Sequence, residues 1–497
     1  MEQVLTRPAI SLEDYFASFR ANIIGQNQSF ESPNGIQKLL YADWTASGRL
    51  YGSIEEKMLR DFGPFVGNTH TETNVTGTSM TLAYHEARNI IKRHVNAGPT
   101  DCIISYGSGM TGVINKFQRI LSLRVPDRWR GLVQMPEHQR PIVFVTHMEH
   151  HSNQTSWIET ICDLEVIGAT SEGLVDLKHL DELLLKYRDR DTKIAAVTAC
   201  SNVTGIRTPY YDIARKMHQQ GGLCFVDFAC SAPYVEIDMH PANPDEKLDA
   251  IYFSPHKFLG GPGTSGILLF DAALYHNRVP DNPGGGTVKW TNPWKEHDYI
   301  DDIEDREDGG TPPFLQTIRT ALCIRLKEQM GIQNILHREE ELLDILFERL
   351  DKIPGLSILA SQIRERLGVV SFIIDGLHYN LGVRLLNDLF GIQVRGGCSC
   401  AGTYGHYLLH VDRDFSNELT CAISKGNLMH KPGWIRMSIH PTMTNEEVHK
   451  ICDALQVLAK LHPVFAKDYD YDPNTNEFNR RDFESPLPEK VRGWFEL

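Results

Sequence analysis

The chain has 497 residues, long enough to bury a large core and to divide into two or more domains. Hydrophobic residues make up 41% and charged residues 23%, as in ordinary globular proteins. The formal net charge is −14 and no basic run occurs, which argues against nucleic acid or an anionic membrane as a partner. No apolar stretch approaches the roughly 20 residues of a membrane span, and the first residues lack the apolar core of a signal peptide.

Ten cysteines are distributed along the chain, and most lie within apolar runs. In a long chain without a secretion signal, this pattern predicts reduced core residues, not a disulfide framework, and favours the cytoplasm. The pair Cys398-Ser-Cys400 departs from the pattern.

The first 40 residues indicate a helix over 12–23 followed by a polar loop. From Tyr41 onward, apolar strand-like runs alternate with helical patterns, the first of which Ser79 can cap. The predicted strands cover 102–105, 141–146, 164–167, 193–198, 223–227, 250–253 and 266–270, and the predicted helices cover 79–95, 113–121, 177–187 and 211–219. Continuous apolar strands separated by amphipathic helices indicate an α/β fold with a mostly parallel central sheet covered on both faces.

The second part of the chain has a different pattern. An irregular stretch over 281–312 is followed by long helical patterns over 313–351. Strands over 368–374, 393–395 and 434–439 and helices over 379–390 and 445–461 then indicate a smaller α+β domain. The polar tail with Asp468-Tyr-Asp-Tyr-Asp is expected to pack loosely. We predict an N-terminal segment (1–40) packing with the small domain, a large domain (41–330) and a small C-terminal domain (331–497).

Polar residues follow several predicted strand ends, where ligands collect in such sheets. Asp227 ends the strand 223–227, and Lys257 follows the strand 250–253. A buried aspartate and an amine at neighbouring strand ends suit pyridoxal phosphate: the aspartate keeps the pyridine nitrogen protonated, and the lysine holds the aldehyde as a Schiff base. A helix cap or salt bridge for Asp227 and a surface position for Lys257 are the alternatives.

A glycine-rich turn fits the phosphate of the same cofactor. Gly107-Ser-Gly109-Met110-Thr111 lies between a strand and a helix, where backbone N–H groups, the helix dipole and the Thr111 hydroxyl suit a phosphate. An ordinary strand-to-helix turn is the alternative. Ser254 and His256 flank Lys257 and can add phosphate contacts.

His150 follows the strand 141–146 within Glu149-His150-His151-Ser-Asn. An imidazole there can stack on a flat ring and shuttle protons, because its pKa lies nearest neutral pH. The alternatives are a polar loop or a metal pair with Glu149, although the chain lacks the His-Glu-X-X-His spacing.

Four motifs together resemble the class V, fold-type I pyridoxal-phosphate enzymes, and among them the cysteine desulfurases and selenocysteine lyases. The motifs are Ser254-Pro-His256-Lys257, Glu149-His150-His151-Ser-Asn, Cys200-Ser-Asn202-Val-Thr-Gly and Val226-Asp227-Phe-Ala229. The resemblance extends from Tyr41-Ala-Asp-Trp-Thr-Ala to the helix after Thr444. It implies the fold-type I architecture and a homodimer with shared active sites.

The resemblance implies roles around the cofactor ring. Lys257 corresponds to the Schiff-base lysine, His150 to the imidazole stacked on the ring, and Asp227 to the partner of the pyridine nitrogen. Ala229 would pack beneath the ring, and Asn202 would lie near the phenolic oxygen and the substrate.

The resemblance also implies contacts to the phosphate and to the substrate. Arg436, in Trp434-Ile-Arg-Met-Ser, matches the arginine that holds the substrate carboxylate, for which a guanidinium is well shaped. Thr311, in Gly309-Gly-Thr-Pro, would reach the phosphate of the partner subunit. The remaining phosphate contacts would come from Gly109, Met110, Thr111, Ser254 and His256.

The segment Val394-Arg-Gly-Gly-Cys398-Ser-Cys400-Ala is similar to the family's Val-Arg-X-Gly-His-His-Cys-Ala loop. The match places Cys400 as the nucleophile that attacks the substrate sulfur, with Cys398 where the family often has histidine. A metal half-site with His406 and His410, a redox pair and inert packing are the alternatives, and the choice between the two thiols stays open.

Two departures from the family pattern bear on the substrate. Cys230 follows Ala229 where the family usually has glutamine, and a thiol hydrogen-bonds the phenolic oxygen only weakly. The segment 401–435 is longer than expected for the group, and we interpret it as a lid or a substrate-selecting insertion.

We therefore expect a pyridoxal-phosphate homodimer that removes sulfur or selenium from a small amino acid through a Cys400 persulfide and releases alanine. Lys257 would remove the Cα proton, and His150 would protonate intermediates. A C–S β-lyase or class V aminotransferase that does not use Cys400, and a non-catalytic scaffold, are the alternatives. The expected partners are the amino-acid substrate and a sulfur-acceptor protein; no metal, nucleic acid or membrane is expected.

Overall fold

The computed structural model describes residues 10–69 and 71–497. Its first elements are α1 (Leu12–Ala21), β1 (Ser29–Ser32), β2 (Gly35–Lys38), β3 (Leu40–Tyr41), α2 (Gly52–Lys57) and α3 (Val75–His94). β1 and β2 pair as an antiparallel hairpin where the sequence indicated only a polar loop. In the described part of the chain, no helix is long and apolar enough to cross a membrane.

A seven-stranded sheet forms the centre of the large α/β unit. Its strands are β4 (Asp101–Tyr106), β5 (Ile142–Thr146), β6 (Asp163–Ile167), β7 (Lys193–Thr198), β8 (Leu223–Asp227), β9 (Ala250–Phe253) and β10 (Gly266–Asp271). They lie in the order β4-β10-β9-β8-β7-β5-β6. β10 is antiparallel to both of its neighbours, and the other pairs are parallel. The predicted α/β fold with a mostly parallel sheet is confirmed.

Both faces of this sheet are buried, which explains why its strands are continuously apolar. On β5, Ile142 and Phe144 contribute to one hydrophobic core, and Val143 and Val145 contribute to the core on the other face. Every residue of β7 is buried. The helices that connect these strands are α4 (Met110–Ile120), α5 (Asp127–Arg130), α6 (His151–Ile158), α7 (Leu177–Lys186) and α8 (Tyr210–Gln219).

The second half of the chain builds a smaller antiparallel sheet. Along the chain, the segment between the two sheets forms β11 (Val288–Thr291), β12 (His297–Tyr299), α9 (Ile303–Glu307), α10 (Phe314–Met330) and α11 (Ile332–Leu350). Then follow β13 (Leu356–Ile358), β14 (Val369–Ile374), α12 (Tyr379–Phe390), β15 (Ile392–Gln393), β16 (Arg395–Gly397), α13 (Gly402–Leu408), α14 (Arg413–Ser424), β17 (Trp434–Ser438), α15 (Asn445–Phe465), β18 (Tyr469–Asp472), β19 (Glu477–Arg480) and α16 (Leu487–Gly493). The small sheet has the order β13-β14-β17-β16.

The N-terminal segment contacts the C-terminal part of the chain at several points. β3 pairs in parallel with β15. Arg20 Nη1 donates to Glu447 Oε2 on α15 at 2.7 Å, and Ser32 Oγ donates to the carbonyl of Asp388 on α12 at 2.8 Å. These contacts hold the N-terminal segment against α12, β15 and α15, which are distant in sequence.

Two helix boundaries differ from the sequence prediction. α3 begins at Val75, not near Ser79, because Asn74 Oδ1 accepts from the Gly77 N–H at 2.9 Å and caps the helix. The helical stretch over 313–351 is two helices, because Gly331 between α10 and α11 has φ of +77°.

The expectation that the tail packs loosely is wrong for residues 469–480, whereas residues 481–497 are exposed or half-buried. β18 and β19 form an antiparallel hairpin, and Tyr469 is 5% exposed. Tyr469 Oη donates to Asp388 Oδ2 at 2.9 Å, and Arg384 Nε donates to the Phe478 carbonyl at 2.9 Å. Both partners lie on α12, so a partly apolar face fixes the hairpin despite its polar sequence.

We predict that Asn74→Ala weakens the first turn of α3, because an N-cap side chain stabilises a helix by about 1 kcal/mol. Hydrogen exchange of the amides over 75–80 should accelerate about fivefold. Ser79→Ala is the matched control and should leave this exchange unchanged. Equal acceleration in the two variants would contradict the capping assignment.

Candidate active site

A cavity of about 500 Å³ opens at the carboxyl ends of β5, β7, β8 and β9. Most of the residues predicted from the sequence line it, namely Met110, Thr111, His150, Asn202, Asp227, Ala229, Ser254, His256, Lys257, Cys400 and Arg436. Gly109 adjoins the cavity, since a Cβ at this position would lie 3.0 Å from His256 Cε1 and 3.1 Å from Ser254 Oγ. Thr311 does not line it.

Asp227 and Lys257 face the cavity from neighbouring strand ends. Asp227 is 3% exposed, and its Oδ1 accepts from the Ala229 N–H at 2.8 Å. Burial raises the pKa of the Asp227 carboxyl to about 6, against this hydrogen bond and the nearby Lys257 charge. Burial also lowers the pKa of the Lys257 amine, with Arg436 and Arg395 adding to the effect and Cys230 and Asp227 opposing it. Each group is thus more easily neutral than it would be in water.

His150 is held as a neutral imidazole at the start of α6. Its Nδ1 accepts from the Ser152 N–H at 3.0 Å, which leaves the proton on Nε2. Burial lowers the pKa of His150 to about 3, and the charges of Lys257 and His151 add to this. The ring therefore lines the cavity uncharged at neutral pH.

Glu149, next to His150, is fully buried and fixes the ends of two strands. Its Oε1 accepts from Thr146 Oγ1 at 2.6 Å and from the Thr198 N–H at 2.9 Å, and its Oε2 accepts from Asn153 Nδ2 at 2.8 Å. Burial raises the pKa of this carboxyl to about 7. The residue has a positioning role and does not line the cavity.

The turn before α4 is held against the strand end that carries Lys257. The Met110 N–H donates to Ser254 Oγ at 2.8 Å, and His256 Nδ1 donates to the Ser108 carbonyl at 3.0 Å. Gly266 on β10 makes the approach feasible, because a Cβ there would lie 2.4 Å from the Gly109 carbonyl oxygen. The N-terminus of α4 is therefore aimed into the cavity beside a hydroxyl and an imidazole.

Two arginines share one carboxylate at the far side of the cavity. Arg436 Nη2 lies 2.9 Å from Asp43 Oδ1, and Arg395 Nε lies 3.3 Å from Asp43 Oδ2. Arg436 Nη1 also donates to the Asn202 carbonyl at 3.2 Å. The Nε of Arg436 and the Oδ1 of Asn202 are buried without a partner in the described part of the chain. Both atoms are therefore polar groups that this part of the chain leaves unsatisfied.

The loop with Cys398 and Cys400 is fixed by residues from the large sheet. Ser399 and Cys400 have φ of 51° and 54°, a left-handed conformation that is unusual for these residue types. The His151 N–H donates to the Cys400 carbonyl at 2.7 Å, and His151 Nε2 accepts from the Gly402 N–H at 2.9 Å. Asn202 Nδ2 donates to the Ser399 carbonyl at 2.7 Å. Cys400 is exposed at the cavity rim, and Cys398 is half-buried.

Cys230, which stands where the resembled family usually has glutamine, lies near a second thiol. Cys200 and Cys230 both line the cavity, are hydrogen-bonded to each other, and approach the Ser201 carbonyl at 3.6 Å and 3.8 Å. The hydrogen bond from Cys200 lowers the pKa of Cys230, whereas burial raises the pKa of Cys200. Among the described residues, no three His, Cys, Asp or Glu side chains are grouped to hold a metal ion.

Several residues of the site were not identified from the sequence. Asp43 lies in the quoted Tyr41-Ala-Asp-Trp motif, which was the available signal, but its two arginine partners are remote in sequence. His151 was treated only as a neighbour of His150. Lys431 and Asn476 line the cavity from the segment 401–435 and from the tail, and no local motif distinguishes them.

The chain is similar to known proteins over most of its length. The family model described as Aminotransferase class-V matches residues 40–451. A probable cysteine desulfurase of Halalkalibacterium halodurans is 28% identical over 371 residues, covering 73% of this chain and 84% of that protein. A probable cysteine desulfurase of Staphylococcus epidermidis is 29% identical over 373 residues, with the same coverage.

Two solved structures have the same fold. The apo structure of a cysteine desulfurase from Thermococcus onnurineus superposes with a TM-score of 0.70 at 22% identity and covers 89% of this chain and 98% of its own. A cysteine desulfurase of Escherichia coli superposes with a TM-score of 0.69 at 21% identity, covering 90% and 98% respectively. These likenesses confirm the fold-type I architecture.

We predict that Asp227→Asn stabilises the cofactor-free protein only at higher pH. The pKa of Asp227 is about 6 in the folded chain and about 4 when unfolded, so its contribution to stability is lost as pH rises between these values. Above about pH 6 the variant should be more stable by up to about 3 kcal/mol, and near pH 4 the two proteins should agree. Calorimetric melting temperatures across this range measure the difference, and a pH-independent offset would contradict the assignment.

Proposed function

Because the chain belongs to the aminotransferase class-V family, we propose that it is a pyridoxal-phosphate enzyme that removes sulfur or selenium from a small amino acid. The observation that carries the proposal is one cavity lined by Lys257, Asp227 and Cys400 together. An amine, a buried carboxylate and an accessible thiol are the three groups that this reaction needs. The similarity to probable cysteine desulfurases supports the same reaction.

The residues of the cavity fit pyridoxal phosphate. Asp227 is buried at a cost that a cationic ring nitrogen would offset. A side chain at Gly109 would crowd Ser254 and His256, two of the residues proposed to contact the phosphate. When bound, the cofactor supplies an electron sink that stabilises negative charge at the substrate Cα. Lys257 would hold its aldehyde carbon, and Asp227 its ring nitrogen. The remaining contacts would come from Gly109, Met110, Thr111, Ser254 and His256 at the phosphate and from His150, Ala229 and Asn202 at the ring.

Arg436 would hold the substrate carboxylate. Its Nε has no hydrogen-bond partner in the described part of the chain. Asp43 and the Asn202 carbonyl fix the rest of the guanidinium, so the free donor is already oriented. The bound amino acid would then direct its side chain toward the loop with Cys400.

Lys257 and Cys400 would carry out the bond changes. The lowered pKa of Lys257 favours the neutral amine, which can take the proton from the substrate Cα. The Cys400 thiolate would attack the substrate sulfur: a Cys400 Sγ–S bond forms and the substrate Cβ–S bond breaks. The proton lost from the substrate thiol is added at Cβ, and the proton held by Lys257 returns to Cα, which yields alanine. The neutral His150 can pass a proton during this exchange.

Two other reactions use the same cavity without a protein thiol. A C–S β-lyase would release pyruvate and ammonia, and a class V aminotransferase would pass the amino group to a keto acid. The position of Cys400 at the cavity rim favours desulfuration, because neither alternative needs a nucleophile there. A non-catalytic scaffold is disfavoured by the complete set of lysine, aspartate and phosphate-turn residues.

Assembly and location are further parts of the proposal. Thr311 is exposed and does not line this chain's cavity, so it is accessible to a partner subunit. We therefore infer a homodimer with shared active sites. The cysteines are all free thiols, which fits a reducing compartment such as the cytoplasm, where a sulfur acceptor would take the persulfide sulfur.

We predict that Cys400→Ser abolishes alanine formation from L-cysteine, because serine cannot accept the sulfur. Cys398→Ser is the matched control, since it removes a thiol from the same loop, and it should retain most of the activity. Alanine and pyruvate are measured separately. Pyruvate as the main product would indicate β-elimination in place of desulfuration, and equal alanine formation by Cys400→Ser and the wild type would contradict Cys400 as the nucleophile.

We predict that Lys257→Ala removes the visible absorbance that the purified protein acquires with pyridoxal phosphate. The lysine amine forms the covalent link to the cofactor, so the variant should bind it weakly and should lose all turnover. Lys425→Ala is the control, because Lys425 is exposed. Lys116 is unsuitable as a control, because it is buried in an ion pair with Glu307. A wild-type protein that gains no absorbance from the coenzyme would contradict the whole proposal.

A further inference from the structure

The outer end of the cavity is built by two segments with no part in holding the cofactor. Lys431 comes from the segment 401–435, and Asn476 comes from the tail, which lies beyond the family match at residues 40–451. Both line the cavity together with Cys400, Tyr379 and Asn380. The cavity wall therefore includes, besides Cys400, residues from the segment 401–435 and from the tail.

Asn476 is fixed at the turn of the tail hairpin. Its Nδ2 donates to Tyr379 Oη at 2.9 Å, its Oδ1 accepts from Tyr471 Oη at 2.9 Å, and its carbonyl accepts from Asn380 Nδ2 at 2.5 Å. It is 8% exposed and has φ of +59°. A turn held by three hydrogen bonds is a rigid wall for a ligand.

The same wall packs closely against the cysteine loop. A Cβ at Gly396 would lie 2.6 Å from Asn380 Oδ1, and a Cβ at Gly433 would lie 2.6 Å from the ring of Tyr379. The two glycines bring the loop and the end of the segment 401–435 directly against the start of α12. This end of the cavity is thus narrow, and suits a small ligand.

The charge at this end is positive and unneutralised. Lys431 makes no ion pair with any residue of 10–69 or 71–497, and of the described residues that line the cavity only Asp227, at its inner end, is acidic. Lys431 lies close enough to His151 to lower the pKa of that imidazole, and His151 contacts the backbone of Cys400 and Gly402. A cation without a partner therefore lies near the reactive thiol.

We propose that this outer end is a binding site for a small anionic sulfur acceptor, such as a thiol that carries a carboxylate. The inference rests on the proposed function, because it requires a persulfide on Cys400. The acceptor thiolate attacks the terminal sulfur: a new S–S bond forms on the acceptor, the Cys400 Sγ–S bond breaks, and Cys400 leaves as the thiolate. The product is the acceptor persulfide, and no oxidant or reductant is needed.

Alkylation of Cys400 tests the anion site without requiring turnover. Iodoacetate and iodoacetamide are similar in size and differ in charge, and both form an S–C bond as iodide leaves. The measured quantity is the rate constant for iodoacetate divided by that for iodoacetamide at Cys400 in the full-length holoenzyme. Lys431→Gln should lower this ratio about fivefold, because it removes the attraction of one ion pair. Lys425→Gln removes an exposed lysine of the same segment and should not change the ratio. An unchanged ratio in Lys431→Gln overturns the site.

Turnover with L-cysteine tests the identity of the ligand. Mercaptoacetate and 2-mercaptoethanol are compared as acceptors, and Lys431→Gln should raise the KM for mercaptoacetate about fivefold while leaving that for 2-mercaptoethanol unchanged. An equal effect on both thiols overturns the anionic acceptor. If no alanine forms from cysteine in the wild type, the proposed function fails, whereas the alkylation ratio still decides whether the anion site exists.

The wall is tested separately with glycine variants. Asn476→Gly keeps the positive φ but removes the side chain, so a bulky neutral reagent such as N-ethylmaleimide should react with Cys400 severalfold faster relative to iodoacetamide. Asn474→Gly, in the same turn but exposed, is the control. An equal response of the two variants overturns the role of Asn476 in shaping this end of the cavity.

Discussion

The site depends on keeping ionisable groups out of water at the ends of parallel strands. Asp227 and Lys257 come from adjacent strands, β8 and β9, whose carboxyl ends open on the same side of the sheet. Desolvation raises the pKa of Asp227 and lowers the pKa of Lys257, so both neutral forms are favoured. Their mutual attraction and the Ala229 N–H do not offset these shifts. The free protein is therefore less stable than it could be, and a cationic ring nitrogen held by Asp227 would offset the cost of burying this carboxylate.

A second ionic contact joins the N-terminal segment to the small sheet, and a hydrogen bond extends it to the large sheet. Asp43 follows β3, which pairs with β15, and it contacts Arg395 on β16 and Arg436 on β17. Arg436 in turn donates to the carbonyl of Asn202, which follows β7. The residue proposed to hold the substrate carboxylate is thus oriented by the N-terminal segment and by both sheets at once. A shift of the small sheet would consequently also change the orientation of the bound substrate.

The sequence predicted those features that local periodicity determines. β7 and α12 begin and end where their patterns indicated, because continuous apolar runs and helical spacing leave few alternatives. The start of α3 was placed at Ser79, although Asn74 caps the helix, because both residue types suit that position. The cavity residues at strand ends could be grouped from the topology of parallel sheets alone.

The features that could not be predicted arise from contacts between distant segments. The tail hairpin is polar in sequence, and its stability comes from Tyr469 and Phe478 against α12, nearly a hundred residues away. His151, Lys431 and Asn476 occur in no local pattern that separates them from ordinary polar residues. Their places in the cavity follow from how the segment 401–435 and the tail fold back on the strand ends.

The left-handed pair Ser399 and Cys400 has a consequence for how the thiol is maintained. Such a conformation costs roughly 1–2 kcal/mol for each residue with a side chain, so the loop would relax if left alone. Three remote groups oppose this: His151, Asn202 and Trp434, whose indole N–H donates to Ser399 Oγ at 3.2 Å. Partial separation of the two sheets would remove the contacts from His151 and Asn202, and the loop would then relax and displace the sulfur nucleophile.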